Sequence, residues 1–167
     1  MTPGDVPEGE STVERRPPRL ASPDEAAEVA RLLHDFNVEF DTPTPDVEVL
    51  AARLRVLLAG EDTFAILAGS PAVAVALVTL RPNVWYEGLV ALLDELYVEP
   101  ELRGRGIGSA MIGLLLDTAV AWGIDLIEIN VDEADVDAQR FYERHGFSAG
   151  AVDSTERAFY FSRDLTS

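Results

Sequence analysis

The sequence predicts an α/β domain of the α+β type, in which a mixed, mostly antiparallel central sheet of about six to seven strands is flanked by about four helices. Three observations support this fold class. The chain has 167 residues, 47% of them hydrophobic, which suits one domain with its own core. Apolar stripes with helical spacing follow recognisable helix caps, and short apolar or alternating runs follow turn signals. The predicted order is strand, two helices, three antiparallel strands, helix, strand, helix and two strands.

The N-terminal residues differ in composition from the rest of the chain. Residues 1–16 are polar, rich in proline and glycine, and without a hydrophobic period. We therefore expect a disordered N-terminal arm over residues 1–16, followed by a single domain over residues 17–167. The stretch RPPRLA at the start of this domain predicts a short first strand.

Two capped helices are predicted next. In SPDEAAEVARLLHDF, Ser22 is the N-cap, Pro23 takes the first helical position, and Glu25 completes a capping box. In TPDVEVLAARLRVLLAG, Thr44 is the candidate cap and Gly60 ends the helix.

The remaining elements follow from turn signals and periodicity. DTFAILAG and AVAVALVTL are joined by GSPA, which indicates a hairpin, and LVALLDELYVEP predicts a central strand that ends at Pro100. A helix then runs from the glycine-rich stretch RGRGIG to Gly123, and IDLIEINV alternates as a strand does. DVDAQRFYERHG predicts a short helix, and FSAGAV with RAFYFSRDL predicts a closing pair of strands.

The composition narrows the classes of partner. Cysteine is absent, which excludes a disulfide framework, a thiolate metal site and a cysteine nucleophile. The formal net charge of −17 disfavours nucleic acid and favours cations, although acidity can also serve solubility alone. We expect a soluble cytoplasmic protein without a membrane partner. A homodimer stays open, because no residue reports the oligomeric state.

The stretch ELRGRGIGSAM combines glycines and arginines at the start of a helix. A helix N-terminus offers partial positive charge and unpaired N–H groups, and glycines let a ligand approach the backbone closely. Arg103 and Arg105 add two cations. The stretch therefore predicts a pyrophosphate site, although it matches neither the P-loop nor the dinucleotide pattern. The alternative is a plain glycine-rich turn before a helix.

Two motifs carry a resemblance to a known family. LYVEPELRGRGIGSAM closely resembles the acetyl-coenzyme A loop of the GCN5-related N-acetyltransferase (GNAT) superfamily, whose signature is Arg or Gln, two residues, Gly, one residue, and Gly or Ala. Arg103, Gly106 and Gly108 fill these positions. DVDAQRFYERHGF is similar to the second signature of the family, although Asp135 stands where the family commonly has Asn. The resemblance covers about residues 18–164.

The resemblance implies acetyl-CoA as co-substrate, no metal, and a sheet that splays between its fourth and fifth strands to admit the cofactor. The strand residues Leu96, Tyr97 and Val98 would pair with the pantetheine arm through their backbone. The other implied cofactor contacts are Arg103, Gly104, Arg105, Gly106, Ile107, Gly108, Ser109, Asn130, Asp135 and Ala138.

The expected chemistry is direct attack of a primary amine on the thioester in a ternary complex. A base must first deprotonate the ammonium group, and Asp94 and Glu95 are the candidates. They are expected on opposite faces of the strand, so that at most one of them faces the acceptor directly. The alternative for each is an ion-pair partner or a solvated strand residue. Tyr142 is the acid candidate by its place in the second motif, and the alternative for it is an aromatic packed in the core.

The acceptor site is expected in HDFNVEFDTP and RPNVWYEG, with Phe40, Trp85 and Tyr86 as its walls. The acidic residues of these segments favour a small cationic amine. A helix-capping role is expected for His145 rather than a catalytic one. Two other functions stay open, a non-catalytic acetyl-CoA sensor and a protein or peptide acetyltransferase that acts on lysine or N-terminal amines.

Overall fold

The computed structural model describes residues 17–149 and 161–166. The chain divides into two compact units, one ending at Glu128 and one beginning at Ile129. The predicted N-terminal arm lies outside the described residues, as does most of the predicted closing strand pair. The single-domain expectation therefore stays a prediction. No helix among the described residues is long and apolar enough to cross a membrane.

A five-stranded sheet forms the centre of the first unit, with its strands in chain order. Neighbouring strands from β1 to β4 are antiparallel, and β4 and β5 are parallel. The predicted mixed sheet is confirmed, but the described residues hold five strands rather than six or seven. The strands are β1 Arg19–Leu20, β2 Thr63–Gly69, β3 Ala72–Arg81, β4 Leu89–Val98 and β5 Ile124–Ile129.

Four α-helices accompany the strands in the described part of the chain, as predicted. They are α1 Ala26–Glu39, α2 Val47–Leu58, α3 Ile107–Trp122 and α4 Val136–Arg144. The amide of Ser22 donates to the Glu25 carboxylate at 3.0 Å, which supports the predicted start of the first helix. Thr44 as the cap of the second helix is wrong. Asp46 holds that position, and Asp is at least as favourable there as Thr.

The two faces of the sheet are covered by different helices. One face packs its alternating residues Ala65 and Leu67 into a cluster with α1 and α2. On the other face, the ring of Phe64 lies edge-on to Trp122 of α3, with centroids 5.0 Å apart. Because successive side chains of a strand alternate between faces, β2 separates α1 and α2 from α3.

A β-bulge interrupts the regular pairing of β3 with β4. Val78 pairs with Leu93, whereas the preceding Leu77 pairs with Glu95, so Asp94 is an extra residue in β4. An extra residue shifts the alternation of every side chain that follows it. The second half of β4 therefore presents odd-numbered residues to the face that even-numbered residues occupy in the first half.

The starts of β4 and β5 are fastened together at Gly88. Its amide donates to Oδ2 of Asp125 at 2.6 Å, and its carbonyl accepts from the side-chain amide of Asn83 at 3.2 Å. A Cβ added at Gly88 would collide with the carbonyl oxygen of Gly123 and lie 2.8 Å from Asp125 Oδ2. Glycine is therefore required at this position by close backbone approach.

We predict that Gly88→Ala lowers the free energy of unfolding by about 2 kcal/mol, because the backbone oxygen it meets cannot rotate away. Gly113→Ala is the matched control, since a Cβ at Gly113 in α3 meets nothing within 4 Å. The control should raise the free energy of unfolding by about 0.5–1 kcal/mol through helix propensity. Urea denaturation of both variants checks this, and equal effects would contradict it.

Candidate active site

The glycine-rich loop between β4 and α3 has the backbone that an anion site needs. A short 3₁₀ turn, Pro100–Leu102, leads into Gly104 and Gly106, whose φ angles of 75° and 83° are left-handed. Gly106 is the N-cap of α3, and a Cβ at either glycine would meet nothing within 4 Å. The first-turn N–H groups of α3, from Ile107 onward, have no partner within the helix. The loop therefore fits a pyrophosphate held by backbone amides.

Arg103 directs its guanidinium toward groups of the protein itself. Its Nη1 and Nη2 atoms each donate to the Glu39 carboxylate at 2.7 Å, and its Nε donates to the carbonyl of Val98 at 2.9 Å. The guanidinium also lies 5.5 Å from the ring centroid of Tyr97. The side chain of Arg103 is expected from the sequence to bind a phosphate, but its guanidinium already contacts Glu39, Val98 and Tyr97. Arg105 is exposed on the same loop.

The last residues of β4 extend beyond the end of β5. On the β3 side, Val98 pairs with Ala74. On the other side, β5 begins level with Gly88 and has six residues, so at about 3.3 Å per residue it ends near the level of Asp94. Among the described strands, β5 therefore stops short of Leu96 to Val98, whose backbone on that side fits an extended molecule added as a strand.

The bulge brings Asp94 and Glu95 to the same face of the sheet. Thr79 pairs with Leu92, and its hydroxyl donates a hydrogen bond to Oδ2 of Asp94. Glu95 pairs with Leu77, which lies on the same face as Thr79 because the two are two residues apart on β3. The expectation that the two carboxylates point to opposite faces is wrong, because it assumed regular alternation through β4.

The surroundings of the two carboxylates separate their acidities. Burial, together with the smaller effect of the neighbouring charge of Asp94, raises the pKa of Glu95 from 4.5 to about 7. Asp94 is exposed and Glu95 is half-buried. Glu95 can therefore take up and release a proton near neutral pH, which is what a general base requires.

The same face carries two polar residues that the sequence reasoning did not single out, Thr79 and Arg81. The guanidinium of Arg81 donates to the Glu128 carboxylate of β5 at 2.6 Å. The described residues of this face thus include three carboxylates, those of Asp94, Glu95 and Glu128, and the guanidinium of Arg81. Thr79 and Arg81 occupy alternating positions at the end of a strand, and only the strand register reveals which residues they face.

The three aromatic residues expected to wall the acceptor site are not brought together. Phe40 follows α1, and its ring lies 5.1 Å from that of Phe36, which is in turn 5.6 Å from the ring of Tyr97 near the end of β4. Trp85 and Tyr86 lie in the loop before β4, where the side chain of Asn83 accepts from both of their amides at 2.8 Å. The ten-residue strand between these regions spans about 30 Å.

In the second unit, Asp135 begins α4. Its carboxylate accepts a hydrogen bond from the amide of Ala138 at 3.0 Å. Both residues, predicted as cofactor contacts, therefore take part in the helix cap, as Asp commonly does. Asn130 is exposed directly after β5.

Tyr142 lies in α4 within a small aromatic group. Its ring stands edge-on to those of Phe141 and Phe147, at centroid distances of 5.2 and 5.8 Å. His145 is the C-cap, and its Nδ1 lies 2.7 Å from the carbonyl oxygen of Phe141. The capping position expected for His145 is thereby confirmed, while the acid role of Tyr142 stays a prediction.

Comparison with solved structures places this geometry among acetyltransferases. A putative acetyltransferase from Arthrobacter sp. FB24 is 48% identical and superposes with a TM-score of 0.83, covering 97% of this chain and 100% of the other. An aminoglycoside acetyltransferase from an uncultured soil metagenomic sample, in complex with sisomicin, is 18% identical, with a TM-score of 0.72 over 89% of this chain and 95% of the other. The second likeness shows the fold.

Curated relatives match over shorter segments. An uncharacterized N-acetyltransferase of Methanocaldococcus jannaschii is 40% identical over 63 residues, which are 38% of this chain and 28% of the relative. The mycothiol acetyltransferase of Beutenbergia cavernae is 34% identical over 76 residues, which are 44% of this chain and 26% of the relative. The matched segments thus span about a quarter of the length of these relatives.

The family model described as "Acetyltransferase (GNAT) family" matches residues 27–147, a range that includes the glycine-rich loop, the carboxylate pair and the whole second motif. The resemblance carried by the two motifs is confirmed. Since the family model covers most of the chain and a solved relative is 48% identical over its full length, this chain belongs to the GNAT family of acetyltransferases.

Proposed function

We propose that this chain transfers an acetyl group from acetyl-CoA to a primary amine of a small cationic acceptor, by direct attack in a ternary complex. The observation that carries the proposal is the carboxylate pair at the bulge, which combines an exposed Asp94 with a Glu95 whose pKa is raised to about 7. The glycine-rich loop at the start of α3 supports the cofactor side of the proposal.

The amine must lose a proton before it can attack. An alkyl ammonium with a pKa near 10.4 is free base to about one part in a thousand at pH 7.4, a deficit of about 4 kcal/mol. Glu95 is the proposed acceptor of that proton, directly or through a water molecule, because a base with a pKa near 7 is ionised at the working pH and still binds a proton.

In the transfer step, one C–N bond forms and one C–S bond breaks. The amine nitrogen attacks the thioester carbonyl carbon, a C–N bond forms, and the tetrahedral intermediate collapses with cleavage of the C–S bond. The departing thiolate takes a proton, for which the hydroxyl of Tyr142 is the proposed donor. The attacking nitrogen, which is positively charged after the attack, loses its second proton to solvent, and the phenolate of Tyr142 regains a proton from solvent. The products are the acetylated amine and coenzyme A.

The charge of the face around Glu95 supports a cationic acceptor. Arg81 on this face is paired with Glu128, no arginine is recorded in contact with Asp94 or Glu95 among the described residues, and the chain as a whole carries a formal net charge of −17. Long-range attraction is screened beyond about 8 Å at physiological salt, so the whole-chain charge acts on encounter. A carboxylate within the site contributes more, through a charge-assisted hydrogen bond of about 1.5–3 kcal/mol.

We predict that coenzyme A is released from acetyl-CoA fastest with cationic amines in a panel of cationic, neutral and anionic amines of similar size. kcat/KM for the cationic amines should fall with added salt and rise with pH. The assay is thiol release at two ionic strengths, with a lysine peptide included to separate peptide acceptors from small ones. A clear preference for an anionic amine would refute the cationic acceptor.

We predict that Glu95→Gln lowers turnover by about 100-fold, because the base is lost while the side-chain shape is kept. The same change should alter the pH dependence of stability. Between pH 4.5 and about 7 the folded chain holds a proton on Glu95 that the unfolded chain releases, so this group makes stability fall as pH rises. Glu95→Gln should therefore stabilise the chain more at pH 8 than at pH 4.5.

Urea denaturation at the two pH values measures the stability effect without any need for activity. Glu48→Gln on α2 is the control, since Glu48 is an exposed first-turn residue whose removal should not produce this pH dependence. A stabilisation by Glu95→Gln that is the same at both pH values would show that the pKa of Glu95 is not raised.

We predict that Tyr142→Phe lowers turnover by about 100-fold and leaves the Kd for acetyl-CoA within about twofold of wild type, because only a proton donor is removed. The rings of Phe141 and Phe147 keep their aromatic neighbour in this variant. Steady-state kinetics and calorimetry measure the two quantities. Unchanged turnover would assign Tyr142 a packing role alone.

A further inference from the structure

We propose that Arg103 is a positioning residue rather than a phosphate ligand, and that its ion pair with Glu39 links the acceptor side of the site to the cofactor side. This inference rests on the proposed function. The Arg103 guanidinium contacts both Glu39, the last residue of α1, and Val98, the last residue of β4.

The geometry of the pair is specific. Both terminal nitrogens of Arg103 donate to the two oxygens of Glu39 at 2.7 Å, in the bidentate arrangement that combines energy with fixed orientation. Its third nitrogen position, Nε, is used by the Val98 carbonyl at 2.9 Å. These contacts use three of the five N–H groups, and a pyrophosphate could take the bidentate end only by displacing Glu39, which has the same charge sign and is already in place.

The electrostatics agree with a tight pair. Hydrogen bonding from Arg103 is the main reason that the pKa of Glu39 lies below its usual value, and hydrogen bonding to Glu39 is the main reason that the pKa of Arg103 lies above its own. Glu101 adds to the rise for Arg103. The pair is partly exposed, with 43% of the Arg103 side chain accessible, so its Coulomb energy is screened. Its importance is therefore orientation rather than stability.

On the cofactor side, Arg103 fixes the end of β4. Val98 is one of the residues whose backbone is expected to pair with pantetheine, and its carbonyl already accepts from Arg103. The ring of Tyr97, which the same guanidinium approaches, also contacts the ring of Phe36, with centroids 5.6 Å apart. Loss of Arg103 should therefore disturb the pantetheine edge, while the backbone amides of the glycine loop continue to bind the phosphates.

On the acceptor side, Glu39 fixes the turn that ends α1. The amide of Phe40 donates to Phe36 at 3.3 Å, and the amide of Thr42 donates to Asn37 at 2.8 Å. Between them, Asp41 has a left-handed φ of 52°, which is strained for a non-glycine residue. A turn with this strain depends on anchors beside it, and the bidentate contact of Glu39 is such an anchor. Phe40, a candidate acceptor wall, is the next residue.

The test compares two ligands that differ in the pyrophosphate. Coenzyme A and pantetheine are titrated by NMR against wild type, Arg103→Met and Glu39→Gln. Arg103→Met should weaken both ligands by the same factor, about tenfold, because the lost contact is a charge-assisted hydrogen bond to the strand end. Gly108→Glu is the contrasting variant, and it should weaken coenzyme A while sparing pantetheine. A loss confined to coenzyme A in Arg103→Met would overturn the proposal, since a phosphate ligand behaves in that way.

A second measurement follows the link without any ligand. Hydrogen exchange at the amides of Phe40 and Thr42 should become about tenfold faster in both Glu39→Gln and Arg103→Met. Glu25→Gln is the control, because it removes a comparable ion pair with Arg19, at 2.6 Å, before the opposite end of α1. Unchanged exchange in the two test variants would refute the link. If wild type binds neither ligand, the proposed function fails, and the exchange result still decides the link.

Discussion

The extra residue in β4 is the constraint on which the rest of the candidate site depends. A bulge turns two successive residues toward one face, which regular alternation forbids. Asp94 and Glu95 are thereby placed side by side, one accepting a hydrogen bond from Thr79 and the other half-buried. Without the bulge, one of the carboxylates would face α3, and the mutual repulsion that helps to raise the pKa of Glu95 would weaken.

The two ends of β4 are connected to different elements of the fold. Its beginning is joined to β5 through Gly88 and Asp125, and its end is joined to α1 through Arg103 and Glu39. Between these anchors the strand carries the carboxylate pair, and after its end the backbone of the glycine loop opens toward α3. Negative charge thus lies on side chains in mid-strand, while partial positive charge comes from backbone dipoles at the start of α3.

Much of the fold could be predicted from sequence because its signals are local. The capping box at Ser22, the hairpin signal before Ala72 and the glycines before Ile107 each fix an element through nearby residues. The family, too, followed from two short motifs. Even the wrong cap at Thr44 was an error of two residues within a correctly placed helix.

The predictions that proved wrong concern features that depend on contacts between residues distant in the sequence. The shared face of Asp94 and Glu95 requires the register with β3, which no local pattern in LLDELYV reports. The partner of Arg103 lies 64 positions away in the sequence, at Glu39. The motif around Arg103 predicts a phosphate ligand, but it contains no information about the Glu39 carboxylate that the guanidinium contacts. Trp85 and Phe40 were grouped by residue type, although a strand of ten residues lies between their regions.

The contact at Gly88 also limits how far β4 and β5 can separate at their far ends. Parallel strands fastened at their starts can separate only by rotation about that fixed point. A six-residue strand is about 20 Å long, so a rotation of about 5° would move its far end by about 1.7 Å. That displacement exceeds the length of one carbon–carbon bond, so the separation of the two strands at their far ends depends on the packing at Gly88 and Gly123, about 20 Å away.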